Sequence, residues 1–307
     1  MTRGAGERMN DASLSILIPL HRSKRFIEVT SRNIAVLHRR FRLVISDATV
    51  EDDTLRTLQD MYGDNSGILW LGKRDLGGGW VNHYNDLRER AQTPYFAWLA
   101  HDDEAGCGYY DACLAALEAD RRLCGAVGHC VAVRGNGLRS IAQPLVADAP
   151  GLAGLEPSAE EFLLHWNLGV LFRAVFRKSM TLPIEHTTES DEWADIVWAY
   201  GLCLEHPFVQ LPSVTYSKRY YRESTHAGWR PAFVPYLFRY LVAEATRTAT
   251  RWSSVDFDKL FDAAWRQSVA SREAERRIAT LQRQKQRYRN WLSTVLWRPV
   301  AGRRKAG

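Results

Sequence analysis

Tyr95-Phe96-Ala97-Trp98-Leu99-Ala100-His101-Asp102-Asp103-Glu104 is the stretch that decides how this chain is read. Its opening apolar run, rich in aromatic side chains, predicts a strand buried on both faces. The acidic residues that follow fall where that strand ends. Neighbouring carboxylates repel, and both stay ionised at low cost only in water or beside a cation. At the carboxyl edge of a sheet, Asp102 and Asp103 suit Mg2+ or Mn2+, hard cations that take oxygen ligands and share a diphosphate. A turn leading into a helix N-cap uses Asp equally well, so the stretch alone leaves both readings open.

The same strand pattern recurs upstream. Residues 14–18 predict a buried first strand closed by Pro19, and residues 24–39 follow with Phe26, Ile27, Ile34 and Leu37 at helical spacing. Residues 41–45 predict a second strand, 53–62 a second helix and 68–71 a third strand. Gly77-Gly78-Gly79 then leads into a helix over 80–90, before the fourth strand at 95–99 and a helix over 109–119. Such alternation with short connections implies parallel strands joined by crossover helices. Ligands of these sheets bind beyond the carboxyl ends of the strands. That edge collects His21, Arg22, Asp47, Lys73, Arg74 and residues 101–104. Asp47 suits a nucleobase or ribose hydroxyl, or closes a strand-end turn; Lys73 and Arg74 suit a diphosphate, or are solvated surface charge.

Beyond Val133 the pattern weakens. Residues 134–157 read as loop-rich, 160–166 as a helix, 170–176 as a strand, 192–203 as a helix and 209–211 as a strand. From 231 onward the chain reads as helical, with an arginine- and glutamine-rich segment over 268–289.

Composition narrows the function. The 307 residues are 46% hydrophobic, enough for a sizeable core, and the eleven tryptophans suit either core packing or stacking on sugar rings. Five cysteines without a C-x-x-C pair argue against a zinc site or a disulfide framework and predict free thiols. Residues 1–12 are polar and no run of 18 apolar residues exists, so a cytoplasmic protein is expected. His83, His129, His165, His186 and His206 lack metal spacing and read as structural.

The net charge of +6 sits mainly in residues 272–307, where eleven lysines and arginines face only Glu273 and Glu275. A basic tail on a mildly acidic body argues against nucleic acid as partner. With Leu281, Tyr288, Trp291, Leu292, Val295 and Leu296 interleaved, it suits a basic amphipathic helix on an anionic membrane surface, or else a solvated or coiled-coil helix. The glycines at 77–79 lack the Lys-Ser/Thr of a P-loop, and no dinucleotide fingerprint follows the first strand. Kinase and dehydrogenase readings weaken accordingly.

Ser15-Ile16-Leu17-Ile18-Pro19 resembles the opening strand of family 2 glycosyltransferases of GT-A fold. Residues 44–49 resemble the family's second strand with its base-contacting Asp. Residues 85–103 resemble its helix, A-x-T-P/G-x-Y/F strand and DxD-like signature. The likeness covers residues 14–118 and, more loosely, 168–229. In the second part it rests on Gly169-Val170-Leu171-Phe172-Arg173, on Asp191-Glu192-Trp193, and on Tyr216-Ser217-Lys218-Arg219-Tyr220-Tyr221 followed by His226.

The resemblance implies an α/β fold of GT-A, Rossmann-like type: a mostly parallel sheet flanked by helices, with a C-terminal helical extension. It divides the chain into a GT-A domain at 13–230, with a nucleotide-binding half at 13–120 and an acceptor half at 121–230, and a helical region with the basic tail at 231–307. The implied activity is metal-assisted, inverting transfer of a sugar from a UDP- or other NDP-sugar to a hydroxyl of a glycan or lipid-linked acceptor, in bacterial-type surface glycan synthesis. By resemblance, Pro19 and Leu20 lie along the nucleoside, Asp47 meets the base, and Arg74 sits near base or phosphates. Asp102 faces the ribose or sugar, Asp103 ligates Mg2+ or Mn2+, and His226 meets the metal or the diphosphate. Arg219 counters the leaving diphosphate, and Asp191 or Glu192 is the general base, with Glu189 and Asp195 as further candidates.

This chain departs from the family at two motifs. Ala100 and His101 replace the first Asp of D-x-D-D and its neighbour, and the acidic motif reads Asp191-Glu192 rather than Glu-Asp. No Q-x-x-R-W motif is present, which favours single-sugar transfer. Two other classes stay open: a nucleotidyltransferase, although Leu20-His21-Arg22-Ser23-Lys24 lacks the glycines of a triphosphate loop, and a catalytically degenerate glycan- or membrane-binding protein.

Overall fold

Leu14-Ser15-Ile16-Leu17-Ile18-Pro19-Leu20 is buried at every position, as expected of a strand covered on both faces. The computed structural model describes residues 12–49, 53–63, 65–74, 76–77, 79–134, 141–144, 170–187, 191 and 194–220, with helical positions 280, 284 and 286. In it β1 (Leu14–Leu20) runs between β2 (Arg42–Asp47) and β4 (Tyr95–Trp98), parallel to both, and β3 (Ile68–Lys73) extends the parallel set beside β2. β1 does not stop at Pro19. Leu17 turns its carbonyl to Leu99 and Leu20 turns its own to Ala48. Alternation therefore puts the proline nitrogen on the β4 side, beyond the last register pair Leu17↔Trp98, where a missing N–H breaks no ladder bond.

The other half of the sheet mixes both directions. β5 (Gly125–Arg134), β6 (Ile141–Pro144), β7 (Val175–Arg177) and β8 (Phe208–Tyr220) complete an eight-stranded sheet of order β3-β2-β1-β4-β7-β5-β6, with β8 on β5. β7 is antiparallel to β4 and to β5, β6 is antiparallel to β5, and β8 is parallel to β5. The sheet is thus mixed, parallel from β3 to β4 and turned at β7. β6 lies inside the stretch that reads as loop-rich, and only three residues of the long β8 were expected as strand. The register of β5 on β8 jumps from Gly128↔Leu211 to His129↔Thr215, so Pro212 and its neighbours bulge out and mask the strand's alternation. Gly128 has no room for a side chain: a Cβ there would lie 2.5 Å from the Val214 carbonyl oxygen and 2.6 Å from the Tyr109 ring.

The helices α1 (Ile27–Leu37), α2 (Thr54–Tyr62), α3 (Gly79–Arg90), α4 (Cys107–Ala119) and α5 (Ala194–Glu205) start and end close to their expected bounds. Aromatic packing joins the two halves of the sheet. Trp98 of β4 stacks on Phe172 at 4.6 Å and meets Trp198 of α5 edge-on at 5.2 Å, while Phe176 of β7 stacks on Phe96 at 5.4 Å. The expected helices over 160–166 and from 231 onward lie outside the described residues. Among the described residues no helix is long and apolar enough to cross a membrane.

His83 of α3 faces the core beneath the β2 edge, 3% exposed, and its Nε2 pairs with Ser46 Oγ. Burial lowers its pKa to about 4; Asp86 opposes the shift, and His21 and Arg74 add to it. The neutral ring is therefore the native form, and the unfolded chain binds a proton that the folded one refuses between pH 6.5 and about 4. Stability should fall with acidification across that window by up to ~3 kcal/mol on this account. Chemical denaturation of His83→Gln against the parent should show a shallower loss between pH 6.5 and 4.5; equal slopes would exclude the effect.

Candidate functional site

The carboxyl ends of β1, β2 and β3 are tied into one edge. Asp47 ends β2 nearly fully buried, and its Oδ1 accepts the Thr49 N–H at 2.8 Å. Thr49 Oγ1 in turn accepts the Arg22 N–H at 2.6 Å, which joins the loops after β1 and β2. The Arg74 N–H donates to the Asp47 carbonyl at 2.8 Å, and its guanidinium pairs with Asp86 of α3 at 3.1 Å. Pro19 and Leu20 are buried within β1, so what they offer a ligand is backbone rather than side chain.

The acidic corner after β4 is fastened to β8. Glu104 and Ser217 exchange backbone hydrogen bonds at 2.9 Å in an isolated antiparallel bridge. The Glu104 carboxylate lies between Arg32, at 2.7 Å, and the Arg219 guanidinium. Burial alone would raise its pKa, and hydrogen bonds from Arg219 and Arg32 outweigh that and hold it below the usual value. Asp103 goes deeper, at 1% exposure. Its Oδ2 accepts from Tyr216 Oη at 3.0 Å and lies 3.3 Å from Arg173 Nε; its Oδ1 accepts the Arg219 N–H at 3.0 Å. The Asp103 carbonyl takes Asn33 Nδ2 from α1 at 2.8 Å.

Asp102 stands beside Asp103, half-buried. Burial, and then the neighbouring Asp103 charge, raise its pKa, while Arg173 and Lys218 pull it back. Asp195 in the first turn of α5 is also raised by burial and answered by the same two cations. Arg173 and Lys218 thus serve three carboxylates in one corner. Tyr109 of α4 fixes the arginine's backbone by donating to the Arg173 carbonyl at 2.8 Å.

Asp191 lies on the other side, ahead of α5, with a positive φ of 53° and 2% exposure. Its oxygens face His186 Nδ1 at 2.9 and 3.0 Å, and Oδ1 also accepts the Thr187 N–H at 3.2 Å. His186 Nε2 lies 2.9 Å from Asn82 Oδ1, and Asn82 Nδ2 donates to the Gly77 carbonyl at 3.1 Å. Both imidazole nitrogens therefore face oxygen atoms, which fixes the plane of the ring. Gly79, with φ 74°, lets α3 begin against Asp191: a Cβ there would be 3.8 Å from Oδ2.

Of the expected site residues, Asp102, Asp103 and Arg219 meet at one corner, Asp47 and Arg74 share the neighbouring edge, and Asp191 sits beside α3. Glu192, Glu189 and His226 lie outside the described residues. Arg173, Lys218 and Tyr216, which lie within motifs of the resemblance, and His186, which reads as structural, are given no role in the site by the sequence. Arg173 carried a signal, since a charge inside the apolar run 170–176 must find a partner on burial. His186 carried none.

This mixed sheet with helices on its faces is a GT-A-type glycosyltransferase fold. Solved structures that share it include S. aureus TarS residues 1–349 in complex with UDP-GlcNAc, 16% identical over 76% of this chain and 66% of that one, with a TM-score of 0.55. The same fragment in complex with UDP matches at 16% identity, 76% and 65% coverage and a TM-score of 0.54. GalNAc-T7 with UDP, GalNAc and Mn2+ matches at 13% identity, 78% and 48% coverage and a TM-score of 0.56. The chain thus spans less than two thirds of the length of the latter two and 66% of the first. No family model and no curated protein sequence matches it.

Because Asp103 is buried with few donors to spare, Tyr216→Phe removes one that nothing replaces. The variant should lose ~2 kcal/mol in urea denaturation with an unchanged m-value. A loss below about 0.5 kcal/mol would mean the hydroxyl does not hold the corner.

Proposed function

We propose that this chain is a glycosyltransferase that binds a nucleotide-sugar, UDP-linked or of another nucleoside diphosphate, and passes the sugar to a hydroxyl of a glycan or lipid-linked acceptor. The observation that carries this reading is the corner at the exit of β4 on a GT-A-type sheet, where Arg173 and Lys218 act on Asp102 and the Arg219 N–H donates to the neighbouring Asp103. TarS, of the same fold, was solved with UDP-GlcNAc and with UDP, which supports a nucleotide-sugar as ligand. On this reading residues 13–230 are the transferase domain, with donor functions in 13–120 and acceptor functions in 121–230. Residues 231–307 are an appendage whose basic tail suits an anionic membrane surface, as surface glycan synthesis on the inner face of a membrane would require.

Asp47 and Arg74 serve the base and phosphates, and Asp102 the ribose or sugar. The acceptor oxygen attacks the anomeric carbon opposite the diphosphate. A bond to the acceptor forms as the bond to the diphosphate oxygen breaks, and configuration inverts. The hydroxyl proton passes to a carboxylate at 191–192, where Asp191 is oriented by His186 and the Thr187 N–H. Arg219 and Lys218 meet the charge that grows on the leaving nucleoside diphosphate.

GalNAc-T7 was crystallised with Mn2+, and a Mg2+ or Mn2+ ion on Asp103 and His226 is the expectation for this chain. The donor set at Asp103 does not fit it. Both carboxylate oxygens already accept from Tyr216 and the Arg219 N–H, and a guanidinium adjoins Oδ2. Among the described residues no three His, Cys, Asp or Glu side chains cluster as a metal-binding set. No step is therefore routed through a metal.

The reading is tested by turnover of a panel of nucleotide-sugars with candidate acceptors. Asp102→Asn and Asp191→Asn should each lower kcat by ~10²-fold or more while far-UV circular dichroism stays that of the parent. Absence of turnover across the panel in the parent, or parent-like rates in both variants, would refute it.

A further inference from the structure

Arg173 is an unusual residue to find where it is. It interrupts an apolar run, sits in a 3-10 turn (Leu171–Arg173) between buried Phe172 and Ala174, and is itself only 9% exposed. The turn is held: Tyr109 donates to the Arg173 carbonyl, and Phe172 is stacked on Trp98. The guanidinium consequently has a fixed position, with Nε 3.3 Å from Asp103 Oδ2. Burial works against its charge, and the attraction of Asp103 more than offsets that.

A divalent cation bound by Asp103 would lie ~2.1 Å from a carboxylate oxygen. One of those oxygens faces a permanently charged guanidinium that cannot lose its proton, and both already hold hydrogen bonds from Tyr216 and the Arg219 N–H. Lys218, 7% exposed, adds a second positive charge that acts on Asp102 and Asp195. Two buried cations thus face three carboxylates, and little negative charge is left to draw in a metal ion. The positive charge a diphosphate needs is instead built into the chain, with Arg219 next in sequence to Lys218 and bonded to the same corner.

We infer that Arg173 stands in for a divalent cation at Asp103, so that this site binds a nucleoside diphosphate without metal. The inference rests on the nucleotide-sugar reading of the site. Arg173 acts through Asp103 as a positioning residue and not as a catalytic one.

The test is calorimetric titration of the full chain with UDP, and with ADP, GDP, CDP and dTDP in turn if UDP does not bind, in EDTA and in Mn2+. The expected result is a Kd that differs less than about threefold between the two conditions, with the electron paramagnetic resonance signal of free Mn2+ no lower in protein and nucleotide together than in nucleotide alone. Arg173→Met keeps the bulk and removes the charge; it should weaken binding in EDTA at least ~10-fold and acquire a Mn2+ response as Asp103 is released. Arg173→Lys should stay indifferent to metal. Binding by the parent that tightens ~10-fold or more in Mn2+ overturns the inference and leaves the functional reading standing. So does an Arg173→Met variant that folds and remains as metal-indifferent as the parent. Failure of every nucleoside diphosphate to bind in either condition overturns both. If Arg173→Met does not fold, the parent's EDTA and Mn2+ titrations decide alone.

Discussion

The carboxylate of Asp103 is the point on which this structure turns. An ionised carboxylate at 1% exposure is tolerated only if its oxygens are hydrogen-bonded and its charge is balanced. Tyr216, the Arg219 N–H and Arg173 do both, and they come from two places in the fold: two from β8 and one from the turn before β7. The acid pair after β4 therefore joins the parallel half of the sheet to the mixed half. Asn33, which donates to the Asp103 carbonyl, extends the same joint to α1.

That joint also divides labour between neighbours in sequence. Asp103 faces inward and holds the corner, Asp102 stands half-exposed beside it, and Glu104 bridges to Ser217 and to two arginines. One short acidic run thus supplies an anchor, a partly buried second carboxylate and a clasp. The opposite wall is made differently. Asp191 is oriented by His186, and His186 is oriented by Asn82, whose amide is itself fixed by the Gly77 carbonyl. The glycine turn ahead of α3 and the segment ahead of α5 are held by this one chain of hydrogen bonds.

The parallel half could be read from sequence almost residue by residue because its apolar runs are short, fully buried and separated by helical spacing. Pro19 misled by one step, since it looks like a strand end and is in fact a position whose N–H had no partner to lose. The mixed half was harder. β5 contains Gly125 and Gly128, which break up its apolar pattern and are demanded by close approach to Phe208 and to Val214 and Tyr109. β8 hides behind the bulge at Pro212, and the spacing of its charged residues Lys218 and Arg219 does not name the acidic corner they face. In the site, strand-end acids announced themselves, whereas partners did not. Nothing in the spacing of Arg173 from Asp103, or of His186 from Asn82, foretells that they meet.

The order in which the chain leaves the ribosome gives the acidic corner a history. Tyr216 follows Asp103 by 113 residues, so the first four strands and their helices are complete while its partner is still to be made. Until β8 arrives, the aspartate keeps its hydration shell, and shedding that shell is worthwhile only when tyrosine, arginine and backbone amide arrive together. The acidic edge is therefore among the last parts of the molecule to acquire its final form, and a chain interrupted before β8 would carry the first strands of the fold without a finished corner.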